Sequence, residues 1–346
     1  MSLFSNEELN AIVNDIQEEV DNFQTEETPE TPVEVAPDLR EGEIFSHTVE
    51  SIPIYMKEPD GGFAKVPNFH GVNRKRKNGF SLMDVLHVAP NTTTVIGMEQ
   101  LESIAYELVD LGYSITGSGE LRQNKWLFVE LENEELPELD LPGTKLVPKQ
   151  WIGSSHDGTL ALKSTLKVID TICENTFMMN AKSMSLFKTK HTKNAQYRIK
   201  EYREGIQEAG EVLNQYYDSV KMLSEAPCNN PEPYFTKVLG AEMKPRKRTL
   251  NGKQFMTEPQ YSGKHRNQLQ GLNWAFNYGD GQQERGNTLW RAFSAVTDWA
   301  DHDEANEKAN ANGSNVLGTR ARQKEKAFNL AVDLATGMQV AQVPVK

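Results

Sequence analysis

Between residues 199 and 223 the residues Ile199, Tyr202, Ile206, Ala209, Leu213, Tyr216, Val220 and Leu223 recur at alternating spacings of three and four. No other feature restricts the fold as much. A strand reverses face at every residue, so only a helix keeps such a series on one side. The pattern predicts one helix of roughly 30 residues beginning near Asn194 and ended by Pro227. A seam this long either packs inside its own fold or joins copies of the chain, so a homo-oligomer stays open beside a packed helix.

Two further helices are expected after the seam. In 287–301 Leu289, Phe293, Val296 and Ala300 share a face, and in 316–336 Ala327, Leu330, Ala331 and Leu334 do. Residues 302–315 between them read as a loop, and 228–286 as a loop-rich stretch holding a basic cluster at 244–248 and a short helix. Before the seam, 98–111 carries Leu101, Ile104, Ala105, Leu108 and Leu111 at helical spacing, with Gly112 as the stop. GYSITGSGEL and NKWLFVELE read as two strands joined by a Gly-rich turn. A proline-rich loop is expected at 137–148, then strands over 149–153 and 159–169. Residues 44–96 read as short strands and loops, with Pro59-Asp60-Gly61-Gly62 as a turn. The fold class is α+β: an antiparallel sheet with a packed helix in the first half and a mostly helical second half. The boundaries fall at 1–43 for an arm, 44–185 for the sheet region, 186–336 for the helical region and 337–346 for a tail.

Charge sets the arm apart. The chain of 346 residues has a formal net charge of −12. Residues 1–43 hold 13 Asp and Glu against the single base Arg40, so the arm carries the whole imbalance and the body is neutral. Residues 1–22 have the spacing of a short amphipathic helix. FQTEETPETPVEVAPDLREGE, 23–43, is too acidic and too poor in large apolar groups to bury a core, so the arm is expected to be largely disordered. It suits a protein partner. No run of 18 apolar residues exists, which argues against membrane insertion. Cys173 and Cys228 form no CxxC and no disulfide framework, which fits a reducing cytoplasm.

Catalytic motifs fail on inspection. Ser155, His156 and Asp157 are triad residue types, but triad members converge from separate elements. Adjacent residues diverge, and Asp157-Gly158 is a favoured turn pair, so His156, Asp157 and Gly158 are read as a structural turn. No HExxH, no paired CxxC and no GxxxxGK[ST] occurs, so no metal, no cofactor and no enzymatic activity is expected. Asp298 and His302 lie four apart at a helix end, a spacing common by chance. The suggestive stretch is LFKTKHTKNAQYRIKEYREG, 186–205. There Lys188, Lys190, His191, Lys193, Arg198 and Arg203 cluster around Tyr197, as cations for phosphates and a ring for a base. Lys163 and Lys167 share one strand face by parity and extend the patch. Trp126 is a second stacking candidate, and Arg74, Lys75, Arg76 and Lys77 form a basic loop.

ICENTF (172–177), FKTKHTKN (187–194), NTLWRAFSAVTDWADHD (287–303) and LGTRARQKEKAFNLAVDLA (317–335) occur in an order that resembles the phage/plasmid-like protein family, a domain of unknown function. SITGSGELRQNKWLFVELE (114–132) and SSHDGTLAL (154–162) are similar to further blocks of it, and the match covers roughly 98–336. The resemblance implies a protein of phages, plasmids and integrated elements, in the cytoplasm of an infected or host bacterial cell. It supplies no catalytic residue. In outline the sheet and helix are similar to phage single-strand annealing proteins. The expected role is a non-enzymatic nucleic-acid-binding protein, for single-stranded DNA, in replication, recombination or protection of incoming DNA. The alternative is an anti-defence or other protein-interaction module acting through the acidic arm.

Overall fold

The computed structural model describes residues 44–45, 47–76, 84–91, 93, 98–122, 125–178, 187–190, 209–245, 247–250, 253–303 and 314–342. The arm before Ile44, the N-terminal half of the seam helix and most of the 302–315 loop lie outside them.

Alternation in WLFVELE makes a strand that buries one face. Leu127, Val129 and Leu131 of β5 (Trp126–Glu132) are all buried. β5 pairs antiparallel with β4 (Ser114–Leu121) and with β7 (Thr144–Ser155). β7 pairs with β8 (Leu162–Asp170). The outer side of β8 is shared by β9 (Asn175–Met178) and β10 (Phe187–Thr189). The main sheet therefore runs β10-β8-β7-β5-β4, with β6 (Leu139–Leu141) added on β7. Directly opposed residues share a face. The pairs Val129–Ile152 and Gln150–Leu166 thus set Leu127, Val129, Leu131, Ile152, Leu162, Leu166 and Val168 on one side.

Two cores lie along that side. Helix α1 (Met98–Val109) covers one end with Leu101, Ile104, Ala105 and Leu108 of the predicted stripe and with Met98, whereas Leu111 lies past the end of the helix and is exposed. Gly112, at φ +90°, ends the element where a side chain would be strained. The buried carboxylate of Glu102 accepts the backbone N–H groups of Ile44 and Phe45 at 3.0 and 2.9 Å, which fixes where the described chain joins α1. The other end packs on helices. Helix α2 (Ala209–Glu225) presents Ala209, Leu213, Tyr216, Val220 and Leu223, every one buried against Leu166, Val168 and Phe177. The described part of the seam thus packs within its own chain, and these residues offer no face to a second copy.

Helix α3 (Glu232–Leu239), the hairpin β11–β12 (Lys247–Leu250, Lys253–Met256) and helix α4 (Gly263–Tyr278) follow. α3 and the hairpin stand where loops were expected over 228–286, and α4 stands where a helix was expected. Ser262 caps α4 by accepting the N–H of His265. Helix α5 (Leu289–His302) is the centre of the helical layer, capped by Thr288 and buried nearly all round. Its Ala292, Ala295 and Ala300 allow close approach, while Trp290, Phe293 and Trp299 fill the space between elements. Helix α6 (Ser314–Leu317) and helix α7 (Thr319–Gln342) close the chain. In α7 Lys324, Ala327, Phe328, Ala331 and Ala335 are buried, whereas Leu330 and Leu334 only flank the core.

Three more expectations need correcting. Residues 137–148 are not a loop: β6 and the start of β7 form a hairpin turning on Pro142 and Gly143, with Gly143 at φ +68°. Proline then glycine is the pair that turn geometry requires there. Pro148 is tolerated inside β7 because it sits between the end of β6 pairing at Leu146 and the start of β5 pairing at Gln150. Gly117 and Gly119 lie in β4, not in the turn, which begins only at Arg122. A side chain at Gly119 would meet the ring of Phe128 across the ladder at 2.8 Å, so the glycine makes room for an aromatic.

A separate three-stranded sheet, β1-β2-β3, comes from β1 (His47–Lys57), β2 (Phe63–Arg76) and β3 (Asp84–Pro90). Arg74, Lys75 and Arg76 are the end of β2 rather than a loop, held by pairing with Val49, Thr48 and His47. Lys77 lies outside the described residues.

Candidate functional site

The register of β10 on β8 sets Lys188 directly opposite Lys163. Like charges in that relation repel, and neighbouring strands hold them together only at a cost. The sheet contains a second such pair, Lys149 opposite Lys167, and there the cost is offset. Lys149 bonds Glu132 and Lys167 bonds Glu130, each at 2.6 Å, with both glutamates supplied by β5. Lys188 has no ion pair among the described residues. Burial, then Lys188, holds the ammonium of Lys163 down to about 8, while Glu325 opposes the shift.

Lys163 and Lys188 line a cleft of about 1040 Å³. One wall is the end of β3, with His87, Ala89 and Pro90. A second is the turn after β4 and the loop between β7 and β8, with Arg122, Trp126 and residues 157–161. The third is α6 and the start of α7, with Gly318, Thr319 and Arg322. Five cations, Arg122, Lys163, Lys188, Lys190 and Arg322, face two carboxylates, Asp157 and Glu325. The first turn of α7 has no acidic residue, against the usual preference at a helix N-terminus, and offers Arg320 and Arg322 instead.

The 155–160 loop is a brace for this cleft. Trp126 donates from Nε1 to Thr159 Oγ1 at 2.8 Å, and Thr159 donates onward to Asp157 Oδ1 at 2.6 Å. Asp157 also accepts the N–H of Thr159. Burial works to raise its carboxyl, but these hydrogen bonds outweigh it and hold Asp157 below the usual range. Ser155 Oγ bonds both backbone groups of Leu160, and Gly158 turns at φ +70°. Ser155, which also hydrogen-bonds Asp157, and Asp157 thus fasten a turn whose centre is the fully buried His156. Arg122, itself at φ +54°, lays its guanidinium 3.8 Å from the centre of the Trp126 ring. The planar surface offered here is therefore an arginine backed by an indole, not a bare tryptophan.

Of the residues singled out in the sequence, Lys163, Lys188, Lys190, Trp126, Asp157 and Gly158 meet at the cleft. Lys167 shares a strand with Lys163 but is held by Glu130 and does not line it. Arg74 and Lys75 lie on β2 outside the lining. His191, Lys193, Tyr197, Arg198 and Arg203 lie outside the described residues. Sequence reasoning missed Arg122, Thr159 and Arg322. The basic start of α7 was a usable signal for Arg322. Arg122 had none, because its role depends on a turn that brings it back over Trp126.

Among the described residues no group of three His, Cys, Asp or Glu side chains could hold a metal. Asp298, on α5, is pushed up to about 6 by burial, with His302 working against the shift. Among the described residues no helix is long and apolar enough to cross a membrane. A family model described as Domain of unknown function (DUF932) matches residues 86–333. No curated protein and no solved structure matches the chain.

Proposed function

The chain belongs to the DUF932 family of domains of unknown function, and we propose that it is a non-enzymatic, phage-encoded protein that holds single-stranded DNA in this cleft. The setting would be replication, annealing during recombination, or protection of incoming DNA. The observation that carries the reading is Lys163 opposite Lys188 inside a cleft where cations outnumber carboxylates. A phosphate backbone offsets such repulsion directly. The guanidinium–indole stack favours a single strand, because a duplex keeps its base faces inside its own stack.

Fluorescence anisotropy with a labelled 30-nucleotide oligo(dT) over a salt series tests this. If the five lining cations each neutralise one phosphate, log affinity falls against log salt with a slope of about −3.5. Lys188→Glu and Arg322→Glu each weaken binding more than tenfold. Absence of salt-sensitive binding to any oligonucleotide rejects the proposal.

The segregation of charge favours a second reading, in which residues 1–43 dock on a protein partner such as a host defence enzyme. Deleting the arm separates the two: oligonucleotide binding survives or tightens under the first, and activity against the partner disappears under the second.

A further inference from the structure

Among the described residues β3 pairs only with residues 69–74 of β2. Towards its N-terminal end β2 has β1 alone as a neighbour among the described residues, so Tyr55–Lys57 and Phe63–Lys65 form a two-stranded ribbon. The turn at 58–62 closes it, with Glu58 N–H donating to the Gly62 carbonyl at 2.8 Å. Tyr55 stands opposite Lys65 and Lys57 opposite Phe63. Opposed residues share a face, and so do residues two apart, so all four side chains project from one side of the ribbon. All four are exposed, Tyr55 by 56% and Phe63 by 70%.

Rings and ammonium groups thus alternate as on a checkerboard, with the two rings on a diagonal. Diagonal neighbours in an antiparallel pair lie about 7–8 Å apart. That is about twice the ~3.4 Å stacking repeat of a nucleic-acid strand, room for one base between two rings. Neither ring makes a contact with another ring among the described residues. The acids of the tip, Glu58 and Asp60, lie in the turn, where Asp60 Oδ1 accepts the N–H of Gly62. An apolar protein partner would want a continuous apolar face. An alternation of flat rings with cations suits bases and the phosphates between them.

The ribbon is also joined to the cleft wall through β2. Phe69 pairs with Pro90, and Pro90 lines the cleft wall. From Phe69 to Phe63 the chain reaches up to about 20 Å at ~3.3 Å per residue. We propose that the ribbon face is a second contact for the same single strand as it leaves the cleft. Tyr55 and Phe63 stack on its bases, and Lys57 and Lys65 hold its phosphates. The inference rests on the cleft reading above, and adds that the ligand is a polymer long enough to span both surfaces.

The test compares 6- and 30-nucleotide oligo(dT) on the full chain and three variants, each checked by circular dichroism. Tyr55→Ala/Phe63→Ala weakens the long oligonucleotide about 100-fold, near tenfold per ring, with an unchanged salt slope and unchanged affinity for the short one. Lys57→Ala/Lys65→Ala makes the slope for the long oligonucleotide shallower by about 1.4. Fluorescence of a 2-aminopurine placed outside the short footprint is quenched by the parent and not by the aromatic variant. The inference is overturned if both ribbon variants bind the long oligonucleotide like the parent, or if the aromatic variant weakens both lengths equally. If Lys188→Glu weakens both lengths and the ribbon variants neither, the cleft reading stands and the ribbon falls. If only the ribbon variants lose affinity, the ribbon binds nucleic acid by itself, and both the cleft reading and the shared path from cleft to ribbon are overturned.

Discussion

Replacing Lys188 by methionine keeps the length of the side chain and removes one of two opposed charges. Two unit charges about 6 Å apart repel by ~0.7 kcal/mol at the dielectric of water and by ~2.8 kcal/mol at an effective value near 20. Lys188 is exposed, so the lower figure applies. Cross-strand pairs in general span about 0.2–1 kcal/mol. Lys188→Met is therefore expected to stabilise the unliganded protein by about 0.5 kcal/mol, read as a higher midpoint of urea denaturation at low salt. The gain should shrink as salt is added, because screening already weakens the repulsion in the parent. Lys163 should titrate above about 8 in the variant, recovering only part of its shift, since burial is the larger cause. At the same time the salt slope for oligo(dT) becomes shallower by about 0.7. A variant that is less stable than the parent at low salt, or one that binds with parental affinity and slope, refutes the reasoning.

Lys324 is buried on α7, bonded to Asp301 and donating to the carbonyl of Thr176 at 2.7 Å. Lys324→Met leaves Asp301 charged in the core and should cost about 3–5 kcal/mol in urea denaturation; a loss under 1 kcal/mol would mean that Asp301 relaxes. Burial pushes the carboxyl of Asp298 up to about 6 in the fold, above the ordinary aspartate value near ~3.9. A raised carboxyl pKa means that the folded state holds the proton more tightly, so the contribution of Asp298 is full below about 4 and lost as pH rises through about 6. Asp298→Asn should flatten the stability profile between those pH values, and an unchanged slope in pH-dependent thermal denaturation would contradict the assignment.

Helical faces were the most legible part of this sequence, because burial of one stripe writes itself into spacing. Leu213, Tyr216 and Val220 lie in the core, and so do Leu101, Ile104 and Leu108. Prolines and glycines misled where composition was taken for geometry. Pro142 and Gly143 do turn the chain, but between strands, and Pro148 sits within a strand at the one place where its missing donor is tolerated. The cleft was half legible. A basic stretch around Lys188 was visible, but the meeting of Lys188 with Lys163 depends on the register of a three-residue strand. The pairing of Lys167 with Glu130 joins residues 37 apart in the chain, and no local pattern announces it. Arg122 and Arg322 come from opposite ends of the fold and meet only after the sheet and the helical layer have packed.

The position of Pro148 also bears on how one strand can change neighbours. β5 and β6 both pair on the edge of β7 opposite β8, and Pro148 is buried at the changeover between them. A residue with no N–H to donate leaves no buried donor without a partner there, so the ladder can break off and resume within a single strand.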